Sequence, residues 1–333
     1  MNRKMQNNQN IRESQSKRNN QNIRNNQNSR SRQNPQNNQT SRGKHIDRGN
    51  QINQTSRRTP PRRRKSRSVI STILLIMALS VFIFSGYQLV TMLLPYFTGG
   101  REYNEIRTRA ITILSEAELA ALNGESETDD GTSLSLRWIP PLRVDFEALR
   151  EINPRTVAWI YFVQPEIINY PVVLSEDNEE YLNRTFSGEW NPVGAIFMDM
   201  NNNPDFEDRN TIIYGHNMQD RSMFARLMEF QDREFFDENP YFYIFTPDGM
   251  VRTYEIFSAK VVYQSAPQYQ IEFSYDEDFL EYLEMCRLDS IHQREGIEFS
   301  ADDRIVSLST CTNIRQVDRF LVQGVLIDIR PAR

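Results

Sequence analysis

The chain has 333 residues and a formal net charge of −5, but that charge is divided by position. Residues 1–68 carry 18 Lys and Arg against Glu13 and Asp47, and the remainder holds 21 basic and 42 acidic residues. Two cysteines exclude a disulfide-built scaffold or a four-cysteine zinc site, three scattered histidines argue against a histidine metal centre, and the glycine loops that cradle phosphates are missing.

The N-terminal 59 residues repeat Asn, Gln, Arg and Ser, as in NNQNIR at 7–12 and again at 19–24. So few apolar residues cannot offset the entropy of ordering the backbone, so residues 1–68 read as a disordered basic tail. The tail has no aromatic residues on which bases could stack, so no nucleic-acid partner is expected. RRRKSR at 62–67 suits anionic lipid head groups instead. Residues 69–94 contain no charge and are long enough to cross a bilayer. The run is too long for the apolar part of a signal peptide and lacks a small-residue cleavage site, so it reads as a retained anchor closed by Pro95. Arginines on its N-terminal side predict a cytoplasmic tail and an extracellular body, with lipid contacts over residues 62–94.

Residues 95–137 read as an extracellular linker. Gly99 and Gly100 break the chain there, and residues 101–122 show helix spacing at Ile106, Ala110, Ile113 and Leu114. A polar stretch follows at 123–133, and Pro140-Pro141 leads into a folded domain over 138–333. That domain carries eight β-rich runs: 157–163, 168–174, 195–199, 211–214, 241–246, 251–263, 304–310 and 320–329. Several of them alternate apolar and polar residues. Pro171 demotes part of the second run to an edge or a bulge. Helices are expected over 145–152, after a Ser222 cap with Phe224, Leu227, Met228 and Phe230, and over 276–288 within an insertion at 264–303. The fold class is mainly β, an eight-stranded and mostly antiparallel barrel with peripheral helices.

A thiol nucleophile needs a basic or cationic partner and a stabiliser for the developing oxyanion, all exposed at one edge of a rigid scaffold. Cys311 ends an apolar strand, where a strand tip presents a thiol. Cys286 lies on the apolar stripe of a helix, where free cysteine behaves as a small hydrophobe. His216 follows a strand in YGHNM, and Arg319 opens the last strand eight residues after Cys311, with Arg315 as the rival arginine. The run from Asp199 to Asn210 begins like a calcium loop, but Pro204 stands where glycine is required and Asn210 where glutamate is. No required metal and no cofactor are therefore expected.

STC at one strand end, YGHN at another and DRFLV at the start of the next resemble the sortases, membrane-anchored cysteine transpeptidases of Gram-positive bacteria. The resemblance covers 140–330 and is nearest to class B. The stretch at 153–199, a helix before the first strand and a helix inside the insertion carry that finer likeness. It implies a sortase-type barrel with Cys311 as nucleophile, His216 as the acid/base and Arg319 as the cation on the substrate carbonyl. Asn178, Leu182 and Ser309 would line the groove for the sorting signal. The implied reaction cleaves a C-terminal sorting motif of surface proteins through a thioester. It then transfers the acyl group to an amine on a peptidoglycan precursor or another acceptor. The alternatives are pilin polymerisation, a peptidase that only hydrolyses, and a non-catalytic surface binding module.

Overall fold

The structure is a computed structural model that describes residues 69–115, 117, 118, 140–163, 168–313 and 315–332. The basic tail and the polar linker at 123–133 lie outside those residues.

Helix α1, Val69–Ala110, is continuous over 42 residues and is long and apolar enough to cross a membrane. The expected stop at Pro95 and break at Gly99-Gly100 do not occur. Pro95 removes only the one intrahelical bond to the Thr91 carbonyl, and side chains reinforce the turn beyond it: the Thr98 hydroxyl donates to the Leu94 oxygen at 3.1 Å, and the Asn191 amide donates to the Pro95 oxygen at 3.1 Å. Gly99 is a point of close approach, because a Cβ there would lie 3.1 Å from Val193 Cγ2. The helix expected to reach residue 122 ends at Ala110. The β-branched run Ile111–Ile113 (β1) leaves it and pairs antiparallel with Leu142–Val144 (β2). Ile106 and Ala110 are buried as their spacing implied, but Ile113 is 78% exposed.

Asp145 caps α2, Phe146–Ile152, by accepting from the Ala148 N–H at 2.9 Å. The barrel strands are β3 Thr156–Tyr161, β4 Asn169–Leu174, β5 Ile196–Met198, β6 Asn210–Tyr214, β7 Tyr241–Phe245, β8 Met250–Tyr263, β9 Ile305–Cys311 and β10 Asp318–Pro331. They close in the order β10-β8-β7-β3-β4-β5-β6-β9, with β4–β5 and β6–β9 parallel and the other contacts antiparallel. Pro171 sits opposite Trp159 on β3, just before the stretch where β4 pairs with β5, so its missing donor costs no bond in that second ladder. Phe162 stacks on Phe242, and Phe242 stacks on Tyr254, to form the barrel's aromatic centre.

Two helical details depart from expectation. Residues Ala225–Gln231 form tight 3-10 turns rather than an α-helix capped by Ser222, whose hydroxyl instead bonds Asp220 at 2.6 Å. A further helix, α3 Arg233–Glu238, starts where Asp232 accepts from the Phe235 N–H. Helix α4, Asp276–Leu288, has the expected bounds. Its Phe279, Leu283 and Cys286 join Phe257, Ile305 and Val325 in a second small core outside the barrel.

Gly324 lies at a register shift in β10, and a Cβ there would overlap the Phe242 ring. Gly324→Ala is expected to lower stability by ~1–3 kcal/mol through overpacking, read as a reduced melting midpoint of the folded protein.

Candidate active site

Strand register assembles the site. Tyr214 on β6 lies beside Ser309 on the parallel strand β9, and the Gly215 N–H donates to the Ser309 carbonyl at 3.1 Å. Two residues beyond that pair come His216 on one chain and Cys311 on the other. The Asn217 side-chain amide donates to the Cys311 carbonyl at 2.7 Å and ties the two ends together. On the opposite edge of β9, the antiparallel ladder sets Arg319 directly across from Cys311.

His216, Cys311 and Arg319 line one cleft of about 430 Å³, with Asn178, Leu182 and Ser309 also on its walls. All six residues singled out in the sequence therefore meet at one place. Cys311 is half-buried and free, whereas Cys286 is free but buried in the small core around α4. Burial pushes the Cys286 thiol up to about 11, and Asp289 adds to the shift.

The imidazole sits in a cradle of backbone. Its Nε2–H donates to the Leu182 carbonyl at 2.7 Å, so Nδ1 is the nitrogen left to take up or give a proton. Gly215 must lack a side chain, since a Cβ would fall 2.7 Å from the Phe224 ring. Gly194, at φ +66°, is equally confined: a Cβ would meet His216 Cδ2 at 2.8 Å and the Tyr181 carbonyl at 2.6 Å. Arg319 is half-buried and donates to the carbonyls of Gln316 and Asp318 and to Gln264 Oε1. Its Nε–H and one Nη2–H have no partner among the described residues. The Arg315 side chain is 76% exposed, 3.9 Å from Asp318.

Asn178 is held at both ends of its amide, donating to Asp199 Oδ2 at 2.9 Å and accepting from the Met200 N–H at 2.8 Å. Tyr214 donates to the same Asp199 oxygen at 2.8 Å. The carboxylates of the calcium-like loop are likewise engaged by protein donors, Asp199 by Asn201 and Asp208 by Asn202 and Asn203.

Sequence reasoning overlooked Tyr269. A 3-10 turn at Pro267–Tyr269 brings it from the insertion, so that its hydroxyl shares a hydrogen bond of 2.7 Å with Ser309 Oγ. Its ring stacks on Tyr214 at 6.4 Å. Burial pushes the Tyr269 hydroxyl up to about 12, so it stays neutral in this wall. The available signal was an aromatic residue in the first turn after a strand. The insertion had instead been read only as the carrier of α4.

Comparison with known proteins agrees with this geometry. The Sortase domain family pattern matches residues 165–327. Sortase B of Listeria monocytogenes is 31% identical over 267 residues, covering 79% of this chain and 99% of that protein. An X-ray structure of a mutant form of Clostridium perfringens sortase B aligns with a TM-score of 0.56 at 30% identity, covering 69% of this chain and 98% of the other. A Staphylococcus aureus sortase B–substrate complex aligns at 0.51 and 29% identity, covering 55% and 84%. The chain belongs to the sortase family and is a cysteine transpeptidase. Within that family it falls in class B, as the helix in the insertion had implied.

The two thiols should separate by accessibility. Iodoacetamide at about pH 8 is expected to modify Cys311 alone, with Cys286 labelled only after unfolding, as followed by peptide mass spectrometry. Because the native Cys286 keeps its proton up to about 11, its contribution to stability is full below the ordinary thiol value of ~8.5. That contribution is lost as pH rises through the native value. A melting midpoint that falls over this alkaline window, and falls less in Cys286→Ala, is the expected result.

Proposed function

We propose that Cys311, His216 and Arg319 carry a two-step acyl transfer. The Cys311 sulfur attacks the carbonyl carbon of the threonine in a C-terminal sorting motif of a surface protein. Arg319 donates its unpartnered N–H groups to the oxygen that becomes negative, where a fixed donor stabilises the transition state more than the ground state. The C–N bond breaks, His216 delivers to the departing amine the proton it took from the Cys311 thiol, and a thioester remains. An acceptor amine, on a peptidoglycan precursor or another carrier, then attacks that thioester and gives up a proton to His216, which returns it to the departing Cys311 sulfur. Asn178, Leu182, Ser309 and Tyr269 form the walls against which the motif would lie.

The observation that carries this reading is the placement of β9 between β6 and β10, with Arg319 across from Cys311 and His216 alongside it. The Staphylococcus aureus relative has been captured with a substrate, which supports a peptide in the corresponding cleft. We further propose a single-pass arrangement in a Gram-positive cell. Residues 1–68 would lie in the cytoplasm, 62–94 would contact lipid, and the catalytic domain over 138–333 would face the cell wall. An anchored enzyme and a lipid-held acceptor then meet at one membrane face.

Single-turnover acylation by motif peptides, read by intact-protein mass spectrometry, tests the assignment. Arg319→Ala is expected to keep an alkylatable Cys311 but to lose ~10²–10³ in acylation rate. Arg319→Lys keeps the charge without the planar fork and should not rescue. Arg315→Ala should match the wild type. An essential Arg315 and a dispensable Arg319 would overturn the arginine assignment.

A further inference from the structure

The turns of α1 just beyond its apolar stretch are bonded to the loop that seats His216. The Asn191 amide reaches both the Pro95 carbonyl and the Thr98 hydroxyl, each at 3.1 Å. Gly99 packs on Val193. Glu102 accepts from the Ser187 N–H at 3.0 Å. The buried Tyr103 hydroxyl donates to the Gly194 carbonyl at 2.7 Å and accepts from the Phe186 N–H at 3.2 Å. Gly194 is the residue with no room for a Cβ against the His216 ring, and the neighbouring Ala195 N–H bonds the Tyr181 carbonyl, one residue before the carbonyl that accepts from His216.

We propose that Tyr103 is a positioning residue for His216, and that the membrane-anchor helix thereby supports the active site from behind the loop that seats the imidazole. The inference rests on His216 being the acid/base of the reaction. The hydroxyl fixes the Gly194 carbonyl from one side, and the backbone of Gly194 fixes the imidazole from the other. Removing the oxygen leaves a buried N–H and a buried C=O without their partner, and the 186–194 loop must relax to find others. The ring would then lose its fixed orientation, although no atom of Tyr103 touches substrate.

The test uses the full chain in detergent micelles. Tyr103→Phe keeps the ring and removes the hydroxyl. It is expected to lower kcat for peptide cleavage about 10- to 100-fold with KM little changed and Cys311 still alkylated. Gly99→Leu offers an independent route, because it favours the helix itself while forcing α1 away from Val193, and it should move kcat in the same direction. Arg101→Ala, which breaks only an exposed ion pair with Glu105 on the same helix, is the control expected to behave as wild type. The chain has three histidines, so nitrogen-15 spectra of labelled imidazoles should report the Nε2–H bond of His216 directly. Its signal should broaden or shift in both variants and not in the control. Wild-type kcat and an unchanged His216 signal in Tyr103→Phe and Gly99→Leu would sink the proposal. A fully active His216→Gln would overturn the acid/base reading instead, and the spectra would still decide whether Tyr103 orients the ring.

Discussion

The site depends on the backbone hydrogen bonding of β9, which is paired on both edges and cannot slide on either. The parallel ladder with β6 and the antiparallel ladder with β10 together set three side chains from three separate parts of the chain at one rim. A slip of one residue in either ladder would turn Cys311 or Arg319 to the other face of the sheet. The geometry of the candidate site is therefore held by main-chain bonds of a closed barrel, and the side chains at the rim add only local orientation.

That local orientation comes from backbone as well. His216 is held by one carbonyl and packs on Gly194, where a Cβ would meet its ring, while Gly215 fits the chain before it against Phe224. Tyr214 and Asn178 converge on a single oxygen of Asp199, and Tyr269 bridges from the stacked Tyr214 to Ser309. One wall of the cleft is thus a connected polar and aromatic network in which the displacement of one member leaves another without its partner.

Much of the barrel was legible because its strands carry apolar alternation bounded by turn residues, a signal that survives without knowledge of the partners. That Cys311, His216 and Arg319 would share one cleft was legible because each stands at a strand end and the motifs that carry them resemble those of the sortases; their roles remain part of the proposal. Other features depended on contacts between distant segments. Pro95 and Gly99-Gly100 look like helix stops, yet the helix runs on through them, with Asn191 bonded to the Pro95 carbonyl and Val193 packed on Gly99. Ile111–Ile113 continues a helical pattern until β2 arrives to pair with it. Tyr269 lies 40 residues from Ser309, and no local pattern joins them.

The seclusion of Cys286 also governs how the protein meets oxidants. A reactive thiol with an accessible second cysteine nearby drains into an internal disulfide. Here the only other cysteine lies on the buried face of α4, in the small core with Phe257, Ile305 and Val325. Thiol–disulfide exchange requires access to the attacked sulfur. A sulfenic acid formed on Cys311 therefore has no internal thiol to resolve it: an external thiol can cap it as a reversible mixed disulfide, and without one further oxidant carries it to the irreversible sulfinic level. With its second thiol buried, the chain has no internal route to a Cys286–Cys311 cross-link, so the fate of an oxidised Cys311 is set by the thiols and oxidants of the surrounding medium.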